Sequence, residues 1–313
     1  MSGSLRADSE IAARDQRALI FLHIHKTAGT TLHRIIERQY NPFRIFTIEG
    51  RLIERSVAHF KKLPERRRAR LQVVKGHLSF GIHGFLPQPS TYITFLRDPV
   101  ERAISSYFYA RGNPINAFHK RIHREKLDLP AFLELTRWND NLQCKVLAGI
   151  ERGEFCPRAI FQAAARPGAP APDPAFDRWS NAETLETAKQ NLARHFGFVG
   201  LTEKFAEGLV VLRHLFGWNL SSYASFRKSR NRPGRERLPQ SALDAARAHN
   251  ALDIQLYEFG ETLFRKSLED AGFDVAQEAV RLLESPAAGG FRALPDWSAM
   301  ILRAAASRAV SWF

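Results

Sequence analysis

A chain of 313 residues can form one large α/β domain or two small ones. Hydrophobic residues make up 44% and charged residues 25%, which excludes wholesale disorder. Lys and Arg number 46 against 32 Asp and Glu, and the net charge of +14 favours anionic partners: nucleic acid, anionic lipid, phosphorylated cofactors or acidic polysaccharide. Cys144 and Cys156 are the only two cysteines. They exclude a disulfide framework, though not one bridge, and two reduced thiols are the expectation.

Residues 1–16 are polar, lack the apolar core of a signal peptide and read as a flexible terminus. No run approaches the ~18 apolar residues that span a bilayer, so a soluble, cytoplasmic chain is expected. The first ordered element is ALIFLHI (18–24), a short apolar run that reads as a buried strand. HKTAGTT (25–31) follows as a small-residue loop. TLHRIIERQ (31–39) then places Leu32, Ile35 and Ile36 at helical spacing.

Residues 59–71 are strongly basic and read as a solvated helix or loop. Leu71 to Val74 predicts a second strand, and TYITFLRDP (91–99) a third that ends in Arg97. Asp98 is placed to cap a helix opened by Pro99. Helices are expected over 130–138, 141–150, 183–196 and 203–217, with a strand at 196–201 and one long helix over about 240–271. The Pro-rich stretch 166–176 reads as a surface loop, and 225–239 as a basic loop. Residues 17–272 then form one domain, and 273–313 a helical appendage linked by PAAGG (286–290). Strands alternating with helices predict a mostly parallel sheet covered by helices.

Three motifs carry chemistry. HKTAGTT follows a buried strand and opens a helix, where backbone N–H groups form an anion site. Ala28 and Gly29 let the backbone approach a phosphate; Thr27, Thr30 and Thr31 add hydroxyls, and Lys26 a full charge. The loop is not a Walker A sequence, which places its lysine at the loop's end. In LRDPVERAISSY (96–107), Arg97 stands at a strand's C-terminal end, where open α/β sheets bind ligands, with Ser105 two helical turns on. An ordinary tight turn and a structural arginine are the competing readings of these two motifs. In KGHLSFG (75–81), His77 directly follows a strand and suits a general base, although a lone histidine is more often structural.

FLHIHKTAGTTL, GHLSFG, TFLRDPVERAISSY, NLQCKVLAG and FVGLTEKF, in this order over residues 18–265, closely resemble the carbohydrate sulfotransferases, a family that includes heparan-sulfate 2-O-sulfotransferases and bacterial members. The resemblance implies a P-loop-like three-layer sandwich. It also implies transfer of a sulfuryl group from 3′-phosphoadenosine 5′-phosphosulfate (PAPS) to an acceptor hydroxyl, on a carbohydrate that an acidic character would suit, without a metal. Carried over residue by residue, Lys26, Thr27, Ala28, Gly29, Thr30 and Thr31 hold the 5′-phosphosulfate. Arg97 and Ser105 grip the 3′-phosphate. His77 is the catalytic base, and Lys26 stabilises the leaving group. His25 stands where the family pattern reads Pro, and is expected to be a bystander.

A nucleotide phosphotransferase would want a Walker A loop and a Mg²⁺-holding Asp after a second strand, and neither is evident. The basic segments 61–70 and 227–237 lack the interleaved aromatics of a nucleic-acid platform, so no nucleic acid is expected. Trp297, Met300, Ile301 and Ala304 share one face of the last helix, which suits packing on the domain or a weak membrane-surface contact.

Overall fold

The computed structural model describes residues 17–50, 52–173, 178–220 and 233–284. Five parallel strands form one sheet in the order β2-β3-β1-β4-β5. They are β1 (Ala18–Leu22), β2 (Ile45–Ile48), β3 (Val73–Gly76), β4 (Ser90–Leu96) and β5 (Phe196–Leu201). Every residue of β1 is buried, as its uninterrupted apolar sequence requires of the middle strand of a parallel sheet. Leu22 pairs with Gly76 on one side, and Phe21 with Ile93 on the other. The loops after β3, β1 and β4 therefore emerge side by side at one edge. From β1 the chain runs outward to β2 and β3, then returns to β4 on the far side. The order thus reverses around β1, which makes the crevice above it the ligand position of an open α/β sheet.

The expected α/β fold is present, with some elements differing from expectation. β2 was not foreseen: IFTI is a four-residue, half-exposed edge strand whose pattern is too short to read. β1 ends at Leu22 rather than residue 24, and β3 runs over 73–76 rather than 71–74. Lys75 hid the third strand's end, because a lysine argues against a buried strand unless it is paired. It is paired here, to Glu37 at 2.9 Å.

The helices that frame the site are α1 (Gly29–Gln39), α2 (Ile53–Lys62), α3 (Pro99–Gly112), α4 (Leu129–Leu135), α5 (Leu142–Ala148), α6 (Ala182–His195) and α7 (Phe205–Phe216). The expected single helix over 240–271 is two helices, α8 (Gln240–Ala248) and α9 (Ala251–Glu269). Tertiary bonds break it. His249 reaches Asp140 at 2.9 Å and Glu134 at 3.1 Å, while the Asn250 side chain accepts from Arg102 at 2.8 Å. The helix α10 (Val275–Glu284) buries Val275, Ala279 and Leu282 in the same core as the sheet, so the start of the expected appendage is part of the packed body. The expected flexible terminus 1–16, residues 225–232 of the expected basic loop and the amphipathic stretch 285–313 lie outside the described residues. Cys144 and Cys156 are both buried and unbridged.

Candidate active site at the strand ends

The turn between β1 and α1 is held by left-handed backbone at two residues with side chains, Lys26 (φ 72°) and Ala28 (φ 60°). Such conformations cost free energy and persist where surrounding structure imposes them, often at ligand sites. Ala28 sits at the helix N-cap and offers no side-chain cap, which leaves first-turn N–H groups of α1 for an anion. Gly29 has no space for a side chain, since a Cβ there would lie 2.0 Å from the Nε2 of His23. The Thr27 hydroxyl donates inward to the Ile24 carbonyl at 2.9 Å, so it braces the turn. Thr31 is buried, and Thr30 is half-buried beside it. Lys26 lies with its Nζ 4.2 Å from the ring centre of Tyr109 on α3, a cation–π partner that the sequence pattern did not signal.

The second motif meets the first directly. Arg97, just past β4, donates from Nη1 to the carbonyl of Lys26 at 3.0 Å, across 71 positions of sequence. Its guanidinium also faces Glu101 at 3.7 Å and Glu203 at 4.0 Å. A residue that sequence reasoning missed holds the Arg97 backbone. Gln143 of α5 is fully buried; its Oε1 accepts from the Arg97 N–H and its Nε2 donates to the Arg97 carbonyl, both at 3.0 Å. Asp253 of α9, also fully buried, accepts from the N–H groups of Gln143 and Cys144, which fixes the start of α5. Ser105 is buried on α3 and makes no side-chain hydrogen bond among the described residues.

His77 emerges from β3 after Gly76, whose φ of +140° and approach to the Ile48 carbonyl (2.2 Å from a built Cβ) only glycine tolerates. The His77 Nδ1 lies 2.9 Å from the carbonyl of His23. A carbonyl only accepts, so Nδ1 carries the proton and the neutral ring keeps its lone pair on Nε2. Burial is the main cause that lowers its pKa to about 4, which keeps it in the base form at neutral pH. Its ring stacks on His23 with centroids 4.2 Å apart, and His25 stands 5.5 Å away. His25, expected to be a bystander, is thus a member of the cluster in space. His25 keeps an exposed surface, and desolvation by its neighbours, then His77 and Lys26, lower its pKa. Arg152, on the one-turn helix Arg152–Phe155, adds to the positive field that acts on both His25 and His77.

A parallel sheet with an uncapped helix start, two arginines, a lysine and a neutral imidazole at its reversal point is an arrangement suited to a phosphorylated ligand at the strand ends of an open α/β sheet. The comparisons narrow this reading. The galactose-3-O-sulfotransferase family model matches residues 173–290. Galactose-3-O-sulfotransferase 2 of Sus scrofa is 26% identical over 272 residues, covering 81% of this chain and 63% of that protein. Galactosylceramide sulfotransferase of Mus musculus is 25% identical over 285 residues, covering 86% and 62%. Galactose-3-O-sulfotransferase 3 of Bos taurus is 26% identical over 281 residues, covering 85% and 61%. The chain is thus similar to carbohydrate sulfotransferases at about a quarter identity. The chain spans about three fifths of the length of the curated relatives it matches. The family model covers α6, β5 and the helices after it, and does not reach His23, His25, His77 or the turn between β1 and α1.

Proposed function

We propose that the protein transfers a sulfuryl group from PAPS to a carbohydrate hydroxyl. The names of its relatives point to galactose as the acceptor sugar and to its 3-hydroxyl as the position sulfated. The observation that carries the reading is the Arg97–Lys26 bond: it joins two anion-binding motifs at one sheet edge, next to a histidine whose Nε2 is an acceptor. A bisphosphorylated nucleoside needs two such anchors, and ATP-type chemistry does not require the second.

The residues present fit that donor. The uncapped first turn of α1 and the left-handed turn at Lys26 and Ala28 form a concave anion seat. The donor supplies the sulfuryl group and leaves as adenosine 3′,5′-bisphosphate. The acceptor oxygen forms its bond to sulfur as the sulfur–phosphate oxygen bond breaks, and the hydroxyl proton passes to His77 Nε2. Lys26 faces the charge that grows on the departing phosphate. Arg97 and Ser105 hold the 3′-phosphate end, and Thr30 and Thr31 flank the first turn at the other. Such transfer depends on alignment and charge more than on covalent catalysis.

Calorimetry with adenosine 3′,5′-bisphosphate, AMP and ATP tests the reading. The bisphosphate should bind far more tightly than either, and Arg97→Ala should remove about 1.5–3 kcal/mol of that binding, the range for hydrogen bonds to charged groups. Equal affinity for AMP and the bisphosphate would remove the second anchor. Radiolabelled sulfate transfer across galactosides, other sugars and acidic polysaccharides then identifies the acceptor.

A further inference from the structure

Behind the site runs a line of buried and half-buried polar groups that the proposed reaction does not use. Glu37 of α1 accepts from the Lys75 ammonium at 2.9 Å. Lys75, only 1% exposed in the middle of the sheet, also reaches Nδ1 of His33 at 3.1 Å. Nε2 of His33 lies 3.0 Å from Nδ1 of His23. The proton positions along this line are forced. An ammonium can only donate, so His33 Nδ1 accepts and His33 carries its proton on Nε2. That proton points at His23 Nδ1, which must accept in turn. His23 therefore carries its single proton on Nε2, and has no vacant nitrogen for a second.

His23 is the ring on which His77 stacks, and its carbonyl orients His77. The two stacked rings thus have opposite tautomers: His77 offers a lone pair at Nε2 and His23 offers a proton there. When His77 takes the acceptor's proton, an imidazolium forms 4.2 Å from the His23 ring centre. Positive charge on His23 would oppose that step, by Coulomb repulsion between stacked rings. The groups that face His23 are His77 and Lys75 from β3 and its loop, His33 from α1 and His25 from its own loop, with Glu37 behind Lys75. Each of the four can only repel a proton from His23, and burial adds to that.

We infer that the line Glu37–Lys75–His33–His23 is a tautomer lock: His23 is a positioning residue held neutral so that His77 can accept a proton. The inference rests on His77 being the base in the proposed transfer, but the lock itself is readable without activity. Long-range ¹H–¹⁵N spectra of the full chain, with imidazole signals assigned by single His→Gln variants, should show His23 protonated on Nε2 alone, and His77 on Nδ1 alone, from pH 8 to 6. In His33→Leu, His23 should become a tautomer mixture that protonates at a higher pH than in the wild type. The acid limb of kcat should rise with it by about one pH unit, while bisphosphate affinity at pH 8 stays within twofold. His33→Gln, whose amide can accept from Lys75 and donate to His23, should restore the wild-type profile. If His33→Leu does not fold, Lys75→Met breaks the line one step earlier and reads out the same way. A wild-type His23 that carries its proton on Nδ1 overturns the lock whatever the enzyme's activity. A locked tautomer whose loss leaves the kcat profile unmoved overturns the positioning role. Absence of any sulfuryl transfer fails the proposed function, and the spectra still decide the lock.

Discussion

His77 shows how much one side chain inherits from its surroundings. Its position after a strand suggested a base; the carbonyl of His23 decides which nitrogen does the work. Because burial holds the free imidazole near pKa 4, His77 is neutral throughout the usual assay range. The kcat/KM profile should therefore show no acid limb at 6.5, and should fall only as the pH approaches that lower value. His77→Ala should cut kcat by ~10²–10⁴-fold, the contribution of a positioned general base, and leave bisphosphate affinity nearly unchanged. Measuring turnover, affinity and melting temperature on one preparation separates this from a packing role. A stable variant with near-wild-type turnover moves the assignment to His25 or His23, its neighbours in the cluster.

At the scale of elements, α5 explains why the strand-end arginine stands where it does. Gln143 mimics a neighbouring strand: its amide pairs with both backbone groups of Arg97, just past the end of β4. Asp253 at the start of α9 in turn receives two N–H groups from the first turn of α5. Gln143→Leu keeps roughly the same volume and strands a buried N–H and C=O, at a cost of ~1–3 kcal/mol for each group left unsatisfied. The expected outcome is a lower melting temperature together with roughly tenfold weaker bisphosphate binding, because the loosened Arg97 also releases the Lys26 carbonyl. Calorimetry on the variant checks it. Lost stability with unchanged affinity would mean that the guanidinium is held by Glu101 and Glu203 without help from its backbone.

For the whole molecule, the cluster of histidines sets an acid limit. His23, His25 and His77 all have folded-state pKa values below the ordinary 6.5. Below that pH the unfolded chain binds protons that the native state refuses, so their contribution is present above 6.5 and lost as the pH falls toward about 4. His249 works the other way. Its hydrogen bond to Asp140 raises its pKa, so its contribution is complete below 6.5 and is lost as the pH rises through the raised value. His83, lowered by burial and by His195, acts with these three against His249, and the melting temperature should fall from pH 7 to 5. His77→Asn should flatten part of that slope; an unchanged slope would place the acid sensitivity elsewhere in the chain.

The candidate site residues were legible because each belongs to a local pattern. The turn HKTAGTT lies between an apolar strand and an amphipathic helix, and Arg97 at the end of TYITFL, with backbone sterics and hydrophobic periodicity written into a few consecutive residues. The central strand β1 was legible for the same reason: an apolar run of that length has no other stable place than the interior. What depended on partners far away in sequence was not legible. Lys75 reads as a surface residue until Glu37 and His33 are placed around it, and the break at His249 and Asn250 exists only because Asp140, Glu134 and Arg102 come from other elements. Gln143 carries no local sign of its role, since its two bonds cross 46 positions. Composition and local pattern determined the fold class, the sheet edge and the turns proposed to bind anions. Only the tertiary structure decided the tautomers, the clamp on Arg97 and the meeting of the histidines, because a hydrogen bond's direction depends on both partners and one stretch of sequence contains only one of them.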